Sequence, residues 1–189
     1  MVIAHAIGHG DKASVHKAVH TSIVSAVLGG AAVTILGELI AAPLLGLLHV
    51  PDEVFPLALL YLRIYLLGMP VILLYNFEAA IFRSVGETKI PLLALAASGV
   101  LNVILNLFFV IVLHMTVNGV ATATVISNAV SSMILYQRLR TTTLEIRVEP
   151  RSLRIDPTSL RRILQIGLPA GIQSLSLIHI SEPTRLGMI

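Results

Sequence analysis

Four polar residues within apolar stretches are the first candidates for chemistry. Asn102 and Asn106 are four residues apart, as are Thr124 and Asn128, and this spacing places each pair on one face of an α-helix. Amide oxygens can ligate a hard cation such as sodium. An amide facing lipid would lack hydrogen-bond partners, at a cost of roughly 2–7 kcal/mol. The four residues therefore predict a buried cluster that either binds a cation or substrate or only joins two helices by hydrogen bonds.

Glu38 and Arg63 are the other charged residues deep within apolar segments. An unpaired charge in the hydrocarbon would cost several kcal/mol. The two residues are therefore predicted to form an ion pair between neighbouring antiparallel helices. A role in transport is the alternative interpretation of the same pair.

Further along, Tyr75 and Asn76 are candidates for lining a cavity. Glu78 lies five residues before Arg83, near the predicted end of a hydrophobic segment. Because long charged side chains can extend from a helix towards water, Glu78 is predicted to reach the membrane interface in this way.

Composition defines the kind of protein that must position these residues. Hydrophobic residues make up 56% of the 189-residue chain and charged residues 12%, and the mean hydropathy is +0.89. These values exclude a disordered chain, a coiled coil and an ordinary water-soluble enzyme. Cysteine is absent, which excludes disulfides, thiol chemistry and metal binding by cysteine. The fold class predicted is an all-α polytopic membrane helix bundle.

Four membrane spans are predicted from the lengths of the apolar runs. No Asp, Glu, Lys or Arg occurs between Lys89 and Arg138, which leaves room for two helices of about 20 residues joined by a turn at Asn118-Gly119. The predicted helices cover residues 18–48, 54–82, 90–113 and 120–137, with no sheet. Pro70 is expected to kink the second helix.

The distribution of basic residues predicts the orientation. Apart from Arg63 and Arg185, every Lys and Arg lies in residues 1–17, in the turn 82–91 or in residues 138–162. The turns at 49–54 and 114–119 contain none. The positive-inside rule therefore places the basic side in the cytoplasm.

The two ends of the chain differ from the four spans. Asp11 has the position of a helix cap. Residues 175–185 (LSLIHISEPTR) resemble a translated sequencing adaptor, so this end is expected to pack poorly; a natural polar terminus is the alternative. The predicted division is 1–17, the end of a lost helix and a cytoplasmic loop; 18–140, the four-helix transmembrane bundle; 141–158, a cytoplasmic linker; 159–174, the start of the next transmembrane helix; and 175–189, the adaptor scar.

Five segments, in chain order, resemble the multidrug and toxic compound extrusion (MATE) family. They are AIGHGDKASVHKAVHTS at 6–22, ALLYLRIYLLGMPVILLYNFEAAIFRSVGETKIPL at 58–92, SGVLNVILNLFFVIV at 98–112, NGVATATVISNAVSS at 118–132 and ILQIGLPAGIQS at 163–174. The resemblance implies a fold of twelve helices in two six-helix lobes. The chain would then supply four full helices of the first lobe and the start of a further helix.

The same resemblance implies a function. Family members are cation-coupled antiporters, which export small, often cationic, drug-like compounds across the plasma membrane. The coupling ion would be Na+ or H+, without another cofactor, and the missing C-terminal lobe and the bilayer would be the partners. Asn102, Asn106 and Thr124 resemble an Asn–Asp pair on the fifth helix and a Thr on the sixth that are implicated in cation or proton binding. Asn106 stands at the Asp position.

Two other functions fit the sequence less well. A lipid-linked oligosaccharide flippase would be expected to have a more basic cavity than Arg63 alone provides. A membrane-embedded enzyme would need paired acids or clustered histidines at one depth, and neither is found. The prediction is therefore a transporter and not an enzyme.

Other apparent motifs do not indicate a site. Residues 8–13 fit G-x-G-x-x-A, but no strand precedes them, which argues against dinucleotide binding. His5/His9 and His16/His20 have ligand spacing on a helix but lack a third ligand, so no metal site is predicted. The arginines of residues 138–162 lack aromatic stacking partners. They are expected to set topology, with anionic lipid contact second, and no nucleic acid is expected.

Overall fold

The computed structural model describes the backbone of residues 2–181 and the side chains of residues 2–173. This part of the chain is helical and contains no strand. Its elements are α1 (Val2–Gly8), α2 (Lys12–Leu47), α3 (Phe55–Leu67), α4 (Met69–Ser84), α5 (Lys89–Leu107), a π-helical turn (Phe108–Val112), α6 (Val117–Thr141), a 3-10 turn (Pro150–Ser152) and α7 (Pro157–Ser181).

The four predicted spans are present. Three continuous helices, Lys12–Leu47, Lys89–Val112 and Val117–Thr141, are long and apolar enough to cross a membrane. Helices α3 and α4 together form a fourth candidate span, which bends by 47° between them. The bend lies at Gly68, directly before Met69 and Pro70, where the proline ring removes a backbone donor. The prediction of an all-α membrane bundle with a kink near Pro70 is confirmed.

Helix α2 begins six residues before the start predicted from hydropathy. The carboxylate of Asp11 accepts hydrogen bonds from the Ser14 backbone N–H at 3.0 Å and from the Ser14 hydroxyl at 2.6 Å. These bonds cap the helix and lower the pKa of the Asp11 carboxyl. Hydropathy marks where a helix enters lipid, whereas the cap marks where the helix begins. Residues 12–17, assigned to a loop from the sequence, are therefore helical.

The helices pack closely because small residues lie at their crossings. Gly30 of α2 lies against Pro70 of α4, and Gly68 lies against Val125 of α6. Most of the buried apolar core lies at the predicted cytoplasmic end, and many large apolar side chains elsewhere on the bundle are exposed. Such an exposed apolar surface suits lipid contact. The core residues include Val15, Val19, Ala79, Phe82, Leu135 and Leu139.

The segment between α6 and α7 is attached to the bundle. Ile146 and Val148 are buried in the core, and the Val148 N–H donates to the Leu139 carbonyl at 3.0 Å. Helix α7 follows from Pro157, two residues before the predicted start of the next span. Residues 175–189 were predicted to pack poorly, and their side chains lie outside the described residues.

Candidate functional site

Asn102 is the centre of a hydrogen-bonded group between α5 and α6. Its amide nitrogen donates to the Ser127 hydroxyl at 3.1 Å and to the Thr124 hydroxyl at 3.4 Å. Its amide oxygen accepts from the Asn106 amide nitrogen at 3.0 Å. The structure therefore brings three predicted site residues together, and it adds Ser127, which the sequence analysis did not identify. We call Asn102, Asn106, Thr124 and Ser127 the amide cluster.

Asn128 is not joined to the amide cluster by its side chain. Its amide nitrogen donates to the Thr124 carbonyl at 2.8 Å, one turn earlier in its own helix. This local bond satisfies the amide donor without any contribution from α5. Asn128 remains a sequence-based site prediction, beside the cluster and not part of it.

Two further serines extend the polar contact between α5 and α6 towards the predicted cytoplasmic end. The Ser98 hydroxyl donates to the Ser127 carbonyl at 2.8 Å, and the Ser131 hydroxyl donates to the Ala94 carbonyl at 2.9 Å. Both serines are buried. The pairs Ser98/Asn102 and Ser127/Ser131 repeat the four-residue spacing of Asn102/Asn106. That repeat is the sequence signal that could have identified the whole seam.

The amide cluster retains an oxygen without a partner. The amide oxygen of Asn106 is buried and accepts no hydrogen bond within the described part of the chain. A π-helical turn begins two residues later, at Phe108, and such turns often occur at functional sites. No carboxylate is bonded to the cluster among the described residues. The cluster is thus a neutral, oxygen-containing site that could ligate a hard cation or a polar substrate group.

Glu38 and Arg63, the pair predicted to join two neighbouring helices, lie in contact. The Arg63 Nε atom is 3.4 Å from Oε2 of Glu38. The Arg63 side chain is 50% exposed and that of Glu38 is 29% exposed. The second carboxylate oxygen of Glu38 is buried without a hydrogen-bond partner in the described part. The geometry fits an ion pair between α2 and α3.

Tyr75 and Asn76 make separate contacts. The Tyr75 hydroxyl donates to the Pro91 carbonyl at 3.4 Å, and this half-buried ring links α4 to the start of α5. Asn76 is exposed, and its amide donates to the Ile72 carbonyl of its own helix at 2.8 Å. Their predicted cavity-lining role stays a prediction.

The prediction that the Glu78 carboxylate extends towards the membrane interface is wrong. It is fully buried, and its Oε2 accepts from the Ser132 hydroxyl at 2.9 Å. Its Oε1 has no partner among the described residues. A spacing of five residues separates Glu78 from Arg83 by about 140° around the helix, so the two do not share a face. Glu78 faces α6 and joins α4 to it through Ser132.

The rings of each histidine pair lie in contact, stacked in His5/His9 and tilted in His16/His20. The His5 and His9 ring centroids are 4.3 Å apart, and those of His16 and His20 are 4.0 Å apart. Within the described residues, no group of three His, Asp or Glu side chains could hold a metal ion.

The chain is similar in sequence to known proteins. Residues 1–108 match the protein family MatE. The chain is 33% identical over 147 residues to the probable multidrug resistance protein YpnP of Bacillus subtilis, covering 77% of this chain and 32% of that protein. It is 29% identical over 191 residues to the probable multidrug resistance protein YoeA of Bacillus subtilis, covering 96% and 41% respectively.

Solved structures resemble the helix arrangement. A crystal structure of MATE in the bent conformation superimposes with a TM-score of 0.86 and 27% identity, covering 93% of this chain and 39% of that one. An inward-facing MATE family multidrug resistance transporter gives a TM-score of 0.81 and 27% identity, covering 89% and 38%. The chain therefore spans about a third to two fifths of the length of these proteins.

Proposed function

The chain belongs to the MatE family, and from that premise we propose that it forms part of a secondary active transporter that exports drug-like organic compounds. Family members are transporters and not enzymes. We assign the transport activity to the protein that this chain forms together with a second lobe, because alternating access requires two halves that rock against each other. Small, often cationic, compounds are the proposed substrates, and the plasma membrane is the proposed location.

The amide cluster is the observation that supports a cation-coupled mechanism. It contains the buried Asn106 amide oxygen, which accepts no hydrogen bond within the described part of the chain, and the hydrogen-bonded oxygens of Asn102 and Thr124. Because the cluster has no titratable side chain among the described residues, we propose that it binds sodium and not a proton. Amide and hydroxyl oxygens can replace part of the water shell of a hard cation. The same oxygens could accept hydrogen bonds from a substrate.

The flippase alternative has less support. Arg63 is the only basic residue within the candidate spans away from their cytoplasmic ends, and it contacts Glu38. A paired arginine offers less positive charge to a lipid-linked diphosphate than a free one would. No described feature favours this function over drug export.

Sodium binding can be measured separately from transport. The purified chain would be heated in NaCl and in KCl of equal ionic strength. A ligand that binds only the folded state raises stability by about 2.7 kcal/mol at a hundredfold excess over its dissociation constant. We expect a sodium-specific rise in melting temperature, which Asn102→Ala and Asn106→Ala abolish. The control is Thr122→Ala, since within the described part of the chain the Thr122 hydroxyl bonds to the Asn118 carbonyl of its own helix and not to the cluster. A rise retained in both asparagine variants would refute the site.

Transport requires the complete transporter in everted vesicles. We expect drug uptake driven by a sodium gradient, and its loss in Asn102→Ala without a matching loss of folded protein. Asn106→Asp restores the acid of the family pattern and should allow a proton gradient to drive uptake. Uptake that is independent of both gradients would contradict a cation-coupled antiporter. Proton-driven uptake in the unaltered protein would contradict the sodium assignment.

A further inference from the structure

A basic cavity of about 520 Å³ lies at the cytoplasmic end of the bundle, between the first turns of α2 and the segment that leads to α7. Lys17 comes from α2, whereas Arg151 and Arg154 come from the segment. The three are exposed. We call this space the basic cavity; its lining also includes His16, His20, Ser152, Ile155, Asp156 and Pro157.

The fold builds this cavity from distant parts of the sequence. The buried His20 ring donates from Nδ1 to the His16 carbonyl at 2.7 Å, and its Nε2 accepts the Glu149 N–H at 3.0 Å. The Thr21 hydroxyl accepts the Asp156 N–H at 3.0 Å. Together with the buried Ile146, these bonds hold the segment against α2. The basic side chains therefore project from a fixed wall and not from a free linker.

The acids around the basic cavity are already engaged. Glu145 lies 3.3 Å from Lys12, and the Glu149 carboxylate accepts from the Ser152 hydroxyl at 3.3 Å. Asp156, the one carboxylate in the lining, accepts the Ser159 N–H at 2.8 Å and lies near enough to Lys17 for that charge to help lower its pKa.

Two arginines in the lining thus remain available. Arg151 and Arg154 have no carboxylate within 4.0 Å among the described residues. The basic cavity therefore presents positive charge that the described part of the chain does not neutralise.

Two neighbouring cavities indicate what kind of anion fits. Arg151 also lines a second space of about 440 Å³ with Arg140, Arg147 and Glu149, and the net positive charge of this lining extends the positive surface. On the other side, Pro157 is shared with an apolar space of about 570 Å³ along α7, lined by Leu160, Leu164 and Leu168 among others. A positive cavity that borders an apolar groove matches a molecule with an anionic head and a hydrocarbon tail.

We propose that the basic cavity binds the phosphate of an anionic phospholipid from the cytoplasmic leaflet. Guanidinium groups bind phosphate oxygens through paired hydrogen bonds, and lysine adds a point charge. Lys17 directly precedes the apolar run of α2 that begins at Ala18, so the cavity lies at the level of the headgroups. Basic pockets on the cytoplasmic side of membrane proteins commonly take such headgroups. A free phosphate ion would satisfy the arginines but would leave the apolar groove empty.

Native mass spectrometry of the purified chain in neutral detergent tests the proposal. Phosphatidylglycerol, phosphatidylcholine and inorganic phosphate would be titrated separately. We expect phosphatidylglycerol to bind at least about tenfold more tightly than either other ligand. Equal binding of phosphatidylcholine would overturn the anionic requirement. Equal binding of inorganic phosphate would overturn the lipid as the source of the phosphate.

Matched variants separate a site from general charge. Arg151→Ala with Arg154→Ala should weaken phosphatidylglycerol binding by about tenfold or more. Arg83→Ala with Arg138→Ala removes the same charge from cytoplasmic positions outside the described lining and should change binding by less than about twofold. Arg151→Gln with Arg154→Gln replaces the alanine pair if circular dichroism shows that the pair is unfolded. Equal losses in the cavity and control pairs would overturn the proposal.

Discussion

Replacing Gly30 by alanine should separate the two helices that cross at this residue. A methyl group built on Gly30 would overlap the Cα atom of Pro70 and would lie 2.8 Å from the Pro70 nitrogen. These atoms belong to the backbone of α4, so no side chain can rotate away. In contrast, a methyl group built on the adjacent Gly29 meets no atom within 4 Å. The two glycines therefore form a matched pair within one helix.

The expected magnitude follows from this geometry. Ordinary contacts begin at 3.4 Å, and the Pro70 Cα is the nearest atom, so α2 and α4 must separate locally by about 1 Å to clear it. A gap of that size forfeits about half of the dispersion energy of each affected contact. Overpacking of this kind typically costs about 1–3 kcal/mol. Alanine also gains up to about 1 kcal/mol over glycine in a helix, but this gain is common to both variants and cancels in their comparison.

Thermal unfolding followed by circular dichroism in detergent measures the difference. We expect Gly29→Ala to melt at or above the temperature of the unaltered chain. Gly30→Ala should be less stable than Gly29→Ala by about 1–3 kcal/mol, and each kcal/mol corresponds to about 2–4 °C for a chain of this size. Equal melting temperatures for the two variants would refute the close contact of α2 with α4.

Three further predictions concern single polar interactions. A double-mutant cycle of Glu38→Gln and Arg63→Gln should give a coupling energy of about 0.2–1 kcal/mol in detergent, because the arginine is half exposed. Ser132→Ala should lower the free energy of unfolding by about 1–3 kcal/mol, since it leaves the buried Glu78 carboxyl without its donor. Hydrogen bonds lower the folded-state pKa of Asp11 below the ordinary value of 3.8, so the fold loses stability as this carboxylate is protonated at acid pH. Asp11→Asn should remove that loss.

Each of these predictions has a contradicting result. Additive effects in the cycle would mean that Glu38 and Arg63 do not interact. The control for Ser132→Ala is Thr141→Ala, because the Thr141 hydroxyl is exposed and bonds within its own helix. Equal stability of these two variants would contradict a stabilising bond from Ser132 to Glu78. For Asp11, the lowered pKa gives stability that is fully present above the unfolded-state pKa and is lost as pH falls through the folded-state pKa. An unchanged acid transition in Asp11→Asn would refute that contribution.

Much of the fold was predictable because lipid imposes a simple rule on sequence. Every spanning segment must satisfy its own backbone hydrogen bonds, so the long apolar runs had to be helices. Pro70 marked the bend for a similarly local reason, the missing backbone donor. The pairing of Asn102 with Thr124 followed from depth, since adjacent antiparallel helices place residues at matched distances from their shared turn.

Other features depended on tertiary structure because they arise from the rotation of a helix or from contacts between distant residues. Helix α4 has apolar residues on every face, so hydropathy could not show which face meets α6. The packing of the helices decides that Glu78 faces Ser132. The bond between His20 and Glu149 joins residues 129 positions apart, and no local pattern records it. Sequence by itself determined which segments are long and apolar enough to cross the membrane and at which end of the helices most basic residues lie. Tertiary structure decided which polar atoms meet, because that choice rests on packing energies summed over several helices.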